Sequence, residues 1–211
     1  MYCLQQLSYG WAGAQVSTVQ VNVGDVEDVG RLMAGLEDDG EPLHIVHSAA
    51  MIYPTSLLEA DIARFDAAMH VNGLSLFYLV RKALPILTRG SSIVLISSAG
   101  AHTVSANYAA LGVGKAMAES LMRYLVTELA PRGIRINAVA PGLVATSSVA
   151  NMVGGDEAAT RLFERAGRAN PSGRMSRDAD YAGVVEFLLS PAAEFVQGQV
   201  IHANGGAYVP G

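Results

Sequence analysis

Cysteine is all but absent from this 211-residue chain, with Cys3 standing alone. One thiol makes no internal disulfide and no cysteine-based metal site, so a metal-free protein of a reducing, cytoplasmic compartment is expected. Charge is sparse as well. Asp, Glu, Lys and Arg together make up 16% of the residues, the net charge is −5, and the basic residues form no stripe. Nucleic acid is therefore not an expected partner. No apolar run approaches the ~18 residues that a membrane-spanning helix needs. No basic segment followed by an apolar one opens the sequence, so no signal peptide is expected. Repeats, low-complexity tracts and linkers are missing too. What remains is a chain of 51% hydrophobic residues, enough for one domain with a sizeable core.

The hydrophobic residues fall into short Val- and Ile-rich runs separated by helical patterns. The runs are Val16–Val21, Leu43–His47, Ile93–Ile96, Ile134–Val139 and Val200–His202, and they suit parallel strands covered on both faces. Helical patterns occupy Asp25–Glu37, Leu57–Thr88, Ala106–Ala130 and Asp178–Leu189. Leu121, Leu125 and Leu129 form a stripe on the third of these, and Pro131 and Gly133 then stop it. This alternation predicts an α/β fold with a doubly wound parallel sheet.

Ligands in such sheets bind beyond the carboxyl ends of the strands. The segments found there are His47-Ser48-Ala49-Ala50, Ser97-Ser98-Ala99-Gly100-Ala101, Ala140 through Thr146, and Ala203-Asn204-Gly205-Gly206. All are small, polar or glycine-containing, and four of them at one sheet edge outline a cleft. Nothing between Gly90 and Gly114 is charged; then comes Lys115, between a glycine and an alanine. A lysine in such surroundings is expected to be partly buried and to have a partner. Tyr108 lies seven residues earlier, two turns back on the same face if the helix already runs there. A lysine beside a phenol would favour the phenolate and help the tyrosine act as an acid or oxyanion stabiliser. The alternative is a tyrosine at the core edge and a lysine reaching past apolar surface to water.

Ile96-Ser97-Ser98, Tyr108, Lys115, and Asn137 through Gly142 with Thr146 together resemble the short-chain dehydrogenase/reductase superfamily. The likeness runs from about Val19 to Gly206. His70-Val71-Asn72 and Asn204-Gly205-Gly206 match further family positions, and His47-Ser48-Ala49-Ala50 matches its Asn-Asn-Ala-Gly turn loosely. One departure is informative. The common motif is Tyr-x-x-x-Lys, but Leu111 stands four residues before Lys115, and leucine donates no proton. The spacing Tyr-x6-Lys resembles the enoyl-acyl-carrier-protein reductases of the superfamily. The phrases around Asn107-Tyr108, Gly112 through Ala116, Val21 through Gly24, and Asn170-Pro171 through Met175 are similar to the NADPH-dependent bacterial branch.

The resemblance implies a Rossmann-like fold, NADPH or NADH as cofactor, and an acyl thioester substrate, on acyl carrier protein or coenzyme A, in fatty acid or polyketide chemistry. Hydride would add to the β-carbon while Tyr108 donates to the thioester carbonyl oxygen. Lys115 would hold the nicotinamide ribose and orient Tyr108. Ser98 would contact substrate, or else be a strand-end turn residue. Asn72 would support a link to Lys115, or else mark a helix bend. Asn22, Val23, Ser48, Ala49, Ala50, Pro141, Gly142, Val144 and Thr146 complete the implied cofactor site. His47 and His102 are either proton shuttles or satisfied loop and core residues. The segment from Thr146 to Met175, with Gly154-Gly155 beside Met152, Val153, Leu162 and Phe163, is implied to be a substrate lid, with a plain surface helix as the alternative.

A family member would open with a strand, a glycine-rich turn and a helix that cradle the cofactor's pyrophosphate. No Gly-x-x-x-Gly-x-Gly occurs here. Val16–Val21 then corresponds to the family's third strand, and the expectation is a single domain over 1–211 that lacks the first two strands and binds cofactor weakly. Two other functions compete: a ketoreductase acting on a polyketide-like carbonyl, and a non-catalytic relative serving as a binding or regulatory subunit. Apolar residues on several faces of the helices around Val71–Leu87 and Lys115–Ala130, among them Met117, Tyr124 and Val126, predict a homodimer or homotetramer.

Overall fold

The computed structural model describes residues 17–36, 38–146, 149, 150, 153 and 155–210. Four parallel strands form one sheet in chain order: β1 (His44–His47), β2 (Ser92–Ile96), β3 (Arg135–Pro141) and β4 (Val200–Ala203). Their register sets Ile93 against Ile45 and Ile136, and Ala138 against Leu95 and Val200. Side chains alternate across the sheet. Ile93, Leu95, Ile136 and Ala138 enter the larger core, with Val29 and Met33 of α1 (Val26–Ala34), Leu76, Leu79 and Val80 of α3 (Ser75–Ala83), and Ala118, Met122 and Leu129 of α4 (Ala109–Leu129). Val94 and Val139 face the other way, onto Leu188 of the last helix (Asp178–Leu189) and Ala193. Helices thus cover both faces, which is the doubly wound arrangement. Among the described residues no helix is long and apolar enough to cross a membrane.

Four of the five expected strands are present, with ends within two residues of those predicted. The fifth expectation, Val16–Val21, is corrected: Val16 lies outside the described residues, and Ser17 through Asn22 belong to no strand. Val21 and Val23 pack against the core, so their apolar character reflects burial without a ladder. Asp25 then starts α1, its carboxylate accepting from the amides of Glu27 and Asp28.

The predicted helix over Leu57–Thr88 is three elements. Asp61 caps α2 (Ile62–Met69) by accepting from the Arg64 amide. A π turn, His70–Leu74, leads into α3. Pro85, which cannot donate a backbone hydrogen bond, comes just after the end of α3. On α4 the buried stripe is Ala118, Met122 and Leu129 with Leu125 beside it, while Leu121 is only half-buried. Successive steps of four drift off a 3.6-residue face; mixed steps of three and four hold it. Val126 packs on the core, so its apolar character is used internally. Phe77, Val113 and Tyr124 remain 41%, 45% and 75% exposed. Between β3 and the last helix lies α5 (Asp156–Ala169), which begins after Gly155 and carries half-buried Leu162 and Phe163. Gly154 and Met152 lie outside the described residues. In chain order the last helix, Asp178–Leu189, is α6.

Candidate active site

A cleft of about 400 Å³ opens beyond the carboxyl ends of the strands. Ser98, Tyr108, Leu111 and Lys115 line it together with Ser48 and Ala50 after β1, and with Pro141, Gly142, Val144 and Thr146 after β3. Most of the residues singled out from the sequence are therefore brought to one place. Asn22 is not. It lines a neighbouring cavity of about 550 Å³ with Met51, Val71 and Tyr78, on the other side of the 48–51 loop. Val23 packs into the core.

Tyr108 precedes α4 rather than lying on it. Asn107 adopts φ +57°, a left-handed conformation that asparagine tolerates, and Tyr108 caps the helix with non-helical backbone. Its carbonyl accepts the first helical hydrogen bond, from Gly112 N at 2.8 Å, so the cap still lies about two turns before Lys115, and both line the cleft. The phenol oxygen lies 3.0 Å from Ser98 Oγ. Its ring rests on Gly100, where a Cβ would come within 2.4 Å of Tyr108 Cε1, so no larger residue fits beneath the ring. Burial raises the phenol's pKa and the Ser98 hydrogen bond opposes that rise. Lys115 is 3% exposed, and its ammonium donates to Ala49 O at 3.2 Å. Burial lowers its pKa to about 8, with Glu119 pulling the other way. Ala49 thus enters the site through its carbonyl. An ammonium has three N–H groups; beyond the one given to Ala49, two are left for a ligand in the cleft.

Asn72 is buried in the π turn and links elements. Its Oδ1 accepts from Met51 N at 2.7 Å, and its Nδ2 donates to Met51 O at 2.9 Å and Ala110 O at 3.1 Å. α4 can approach this closely because residue 114 is glycine; a Cβ there would lie 2.4 Å from Asn72 Cβ. The route from Asn72 to Lys115 runs through the 49–51 backbone, which both side chains hold.

His47 is a core histidine. Its Nε2 meets Ser75 Oγ at 2.7 Å, and that hydroxyl donates to Val71 O, so Nε2 carries the proton and Nδ1 has no partner among the described residues. Burial, then the Lys115 charge, lowers its pKa to about 4, which keeps it neutral and removes it as a shuttle. His102 contacts a residue that sequence reasoning missed. Glu119, 1% exposed, accepts from Ser97 Oγ and holds His102 Nε2 at 2.7 Å from its other oxygen, off the hydrogen-bond line. The available signal was its place four residues after Lys115, the next charge on an apolar stretch. Tyr208 and Asn204 also line the cleft. No cluster of metal-ligating side chains occurs among the described residues.

Comparison with known proteins agrees with this geometry. A sequence family described as enoyl-(acyl carrier protein) reductase matches residues 5–208. The NADH-dependent enoyl-acyl-carrier-protein reductase of Aquifex aeolicus is 32% identical over 199 residues, spanning 92% of this chain and 72% of that protein. The 3-oxoacyl-acyl-carrier-protein reductase of Staphylococcus aureus is equally similar, at 32% over 203 residues, 93% of this chain and 79% of that one. The Bacillus cereus enoyl-acyl-carrier-protein reductase, solved with NADP+ and an indole naphthyridinone, superimposes with a TM-score of 0.83 at 25% identity, covering 94% of this chain and 78% of its own. Fold, cleft and these matches together place the chain in the short-chain dehydrogenase/reductase superfamily of NAD(P)H-dependent oxidoreductases, in its enoyl-acyl-carrier-protein reductase-like family.

Proposed function

We propose that this protein reduces the carbon–carbon double bond of an enoyl thioester carried on acyl carrier protein or coenzyme A. The observation that carries the reading is Tyr108 Oη, aimed into the cleft 3.0 Å from Ser98 Oγ, while Leu111, at the position of the more common tyrosine, lines the same cleft without a donor. The residues present fit the two ends of a nicotinamide dinucleotide, while the sequence carries no Gly-x-x-x-Gly-x-Gly turn for its pyrophosphate. Lys115 has N–H groups left for ribose hydroxyls, Gly142 through Thr146 offer backbone and one hydroxyl to a carboxamide, and the cavity at Asn22 and Met51 lies across the 48–51 loop for the distant base. When bound, the reduced nicotinamide supplies the hydride.

The protein's own part is electrostatic and positional. Tyr108 donates to the thioester carbonyl oxygen, where enolate charge collects, and a fixed donor counts most at that atom. Ser98 holds the phenol in place. Burial keeps Tyr108 protonated, which suits a donor. Lys115 fixes the cofactor side of the cleft through Ala49 and the ribose. The test is turnover of crotonyl against acetoacetyl thioester with NADPH and NADH. Preference for the crotonyl substrate is expected. Faster reduction of the acetoacetyl substrate makes the protein a ketoreductase instead, the activity for which the Staphylococcus aureus relative is named.

A further inference from the structure

One buried carboxylate holds both ends of the turn after β2. Glu119 accepts from Ser97 Oγ at one oxygen and contacts His102 Nε2 at the other, 2.7 Å away. Between these anchors Ala99–Ala101 forms a single 3-10 turn, closed by Ala101 N donating to Ser98 O at 3.0 Å and His102 N to Ala99 O at 2.9 Å. The turn carries Ser98, whose Oγ meets Tyr108 Oη and accepts from Gly100 N at 3.1 Å. It also carries Gly100, the floor under the Tyr108 ring. On its outer side His102 stacks on Tyr208, with centroids 5.8 Å apart and planes 11° apart, and sits edge-on to His202 at 5.7 Å. Tyr208 is itself a wall of the cleft.

Burying a carboxylate costs several kcal/mol, roughly, unless it is paired and hydrogen-bonded. Packing alone does not call for one here. Met122, one turn further along α4, is fully buried and meets the same core with no polar atom to satisfy. Glu119 differs in accepting a hydrogen bond from Ser97 Oγ and in setting its other oxygen, which has no hydrogen-bond partner among the described residues, 2.7 Å from His102 Nε2, and these are the two residues that flank the tyrosine's support. We infer that Glu119 is a positioning residue, whose carboxylate clamps the 97–102 turn at both ends and thereby fixes Ser98 and Tyr108 in the cleft. The assignment rests on the reductase reading for its purpose, while the clamp can be measured without turnover.

Protein carrying 13C at tyrosine Cζ supplies that measurement, with the Tyr108 signal assigned by its loss in Tyr108→Phe. Glu119→Ala is expected to move this signal and its titration midpoint, and to lower kcat by about 10²-fold, the effect of a misplacement of about 1 Å, with KM near its original value. Glu119→Gln keeps the acceptor for Ser97 Oγ but loses the charge that faces His102, so it should recover part of both losses. Ser97→Ala and His102→Phe each free one end of the turn, the latter keeping the stack on Tyr208, and each should give an intermediate shift. If Glu119→Ala does not fold, these two decide. Folded variants whose Tyr108 signal and midpoint match the unaltered protein overturn the clamp. Absence of thioester reduction by the unaltered protein overturns the reductase reading instead, and the tyrosine signal still decides the clamp.

Discussion

Asn72→Ala should be among the most damaging single substitutions outside the apolar core. The side chain is 1% exposed and makes three hydrogen bonds, all to backbone: Met51 N, Met51 O and Ala110 O. Truncation leaves these groups facing a small void. A buried polar group left unpaired costs about 1–3 kcal/mol. The Met51 groups are half-buried and regain some water, so they belong at the low end, and the sum is about 3 kcal/mol. Domains of this kind are stable by only about 5–15 kcal/mol, and in one of this length each kcal/mol shifts Tm by roughly 2–4 °C. The expected drop is therefore about 6–12 °C, read by circular dichroism melts, with a guanidinium midpoint lowered at unchanged m-value. Asn72→Asp keeps an acceptor for Met51 N but sets a carboxylate against two carbonyl oxygens, so it should lose at least as much. A Tm within about 2 °C of the original for Asn72→Ala would refute the account, as would an aspartate variant more stable than the alanine one.

Tyr108→Phe should lower crotonyl-thioester turnover by about 10²–10³-fold, the cost of an oxyanion donor, while Leu111→Ala retains activity; near-normal turnover by the phenylalanine variant removes Tyr108 from the chemistry. His47 makes stability depend on acid. Its folded pKa of about 4 lies below the ordinary 6.5, so the unfolded chain binds the extra proton first. Stability from this residue is complete above about 6.5 and is lost as pH falls through about 4, by about 3 kcal/mol in all. His47→Gln should flatten the pH 4–6.5 limb of the denaturation midpoint, and an unchanged limb would contradict the assignment. For assembly, light scattering at tens of micromolar is expected to give a dimer or tetramer, and Phe77→Asp or Tyr124→Asp a smaller species, since those rings stand exposed on α3 and α4. A monomer of the unaltered chain rules this out.

The sheet was readable because Ile93 through Leu95 is an unbroken apolar run and Ile136 through Val139 is interrupted only by Asn137, and both proved to be strands buried on both faces. The cleft was readable because four strand ends share small residues. What escaped prediction depends on distant partners or on single torsions. The segment from 17 to 22 has strand composition, but a ladder needs a neighbour, and composition does not supply one. The helix break at Asn107 is one positive φ angle, which shifts Tyr108 from a helix face to a cap. Glu119 looks like any acid on an amphipathic helix until Ser97 and His102, more than a dozen residues earlier, fold onto it. Asn72 was singled out from the resemblance, but its work of tying the 49–51 loop to α4 shows only in three dimensions.

The π turn at His70–Leu74 also governs how this region tolerates changes of length. It joins α2 to α3 without a loop, so every residue in it advances the rotation of α3 about its axis. Inserting one more in regular helix would turn α3 by about 100°, swinging Leu76, Leu79 and Val80 away from the sheet and carrying exposed Phe77 toward it. Deleting one would instead let the turn revert to regular α-helix, with α3 held in phase but Asn72 moved off the 49–51 loop. Site and core thus respond differently to a change of residue count here.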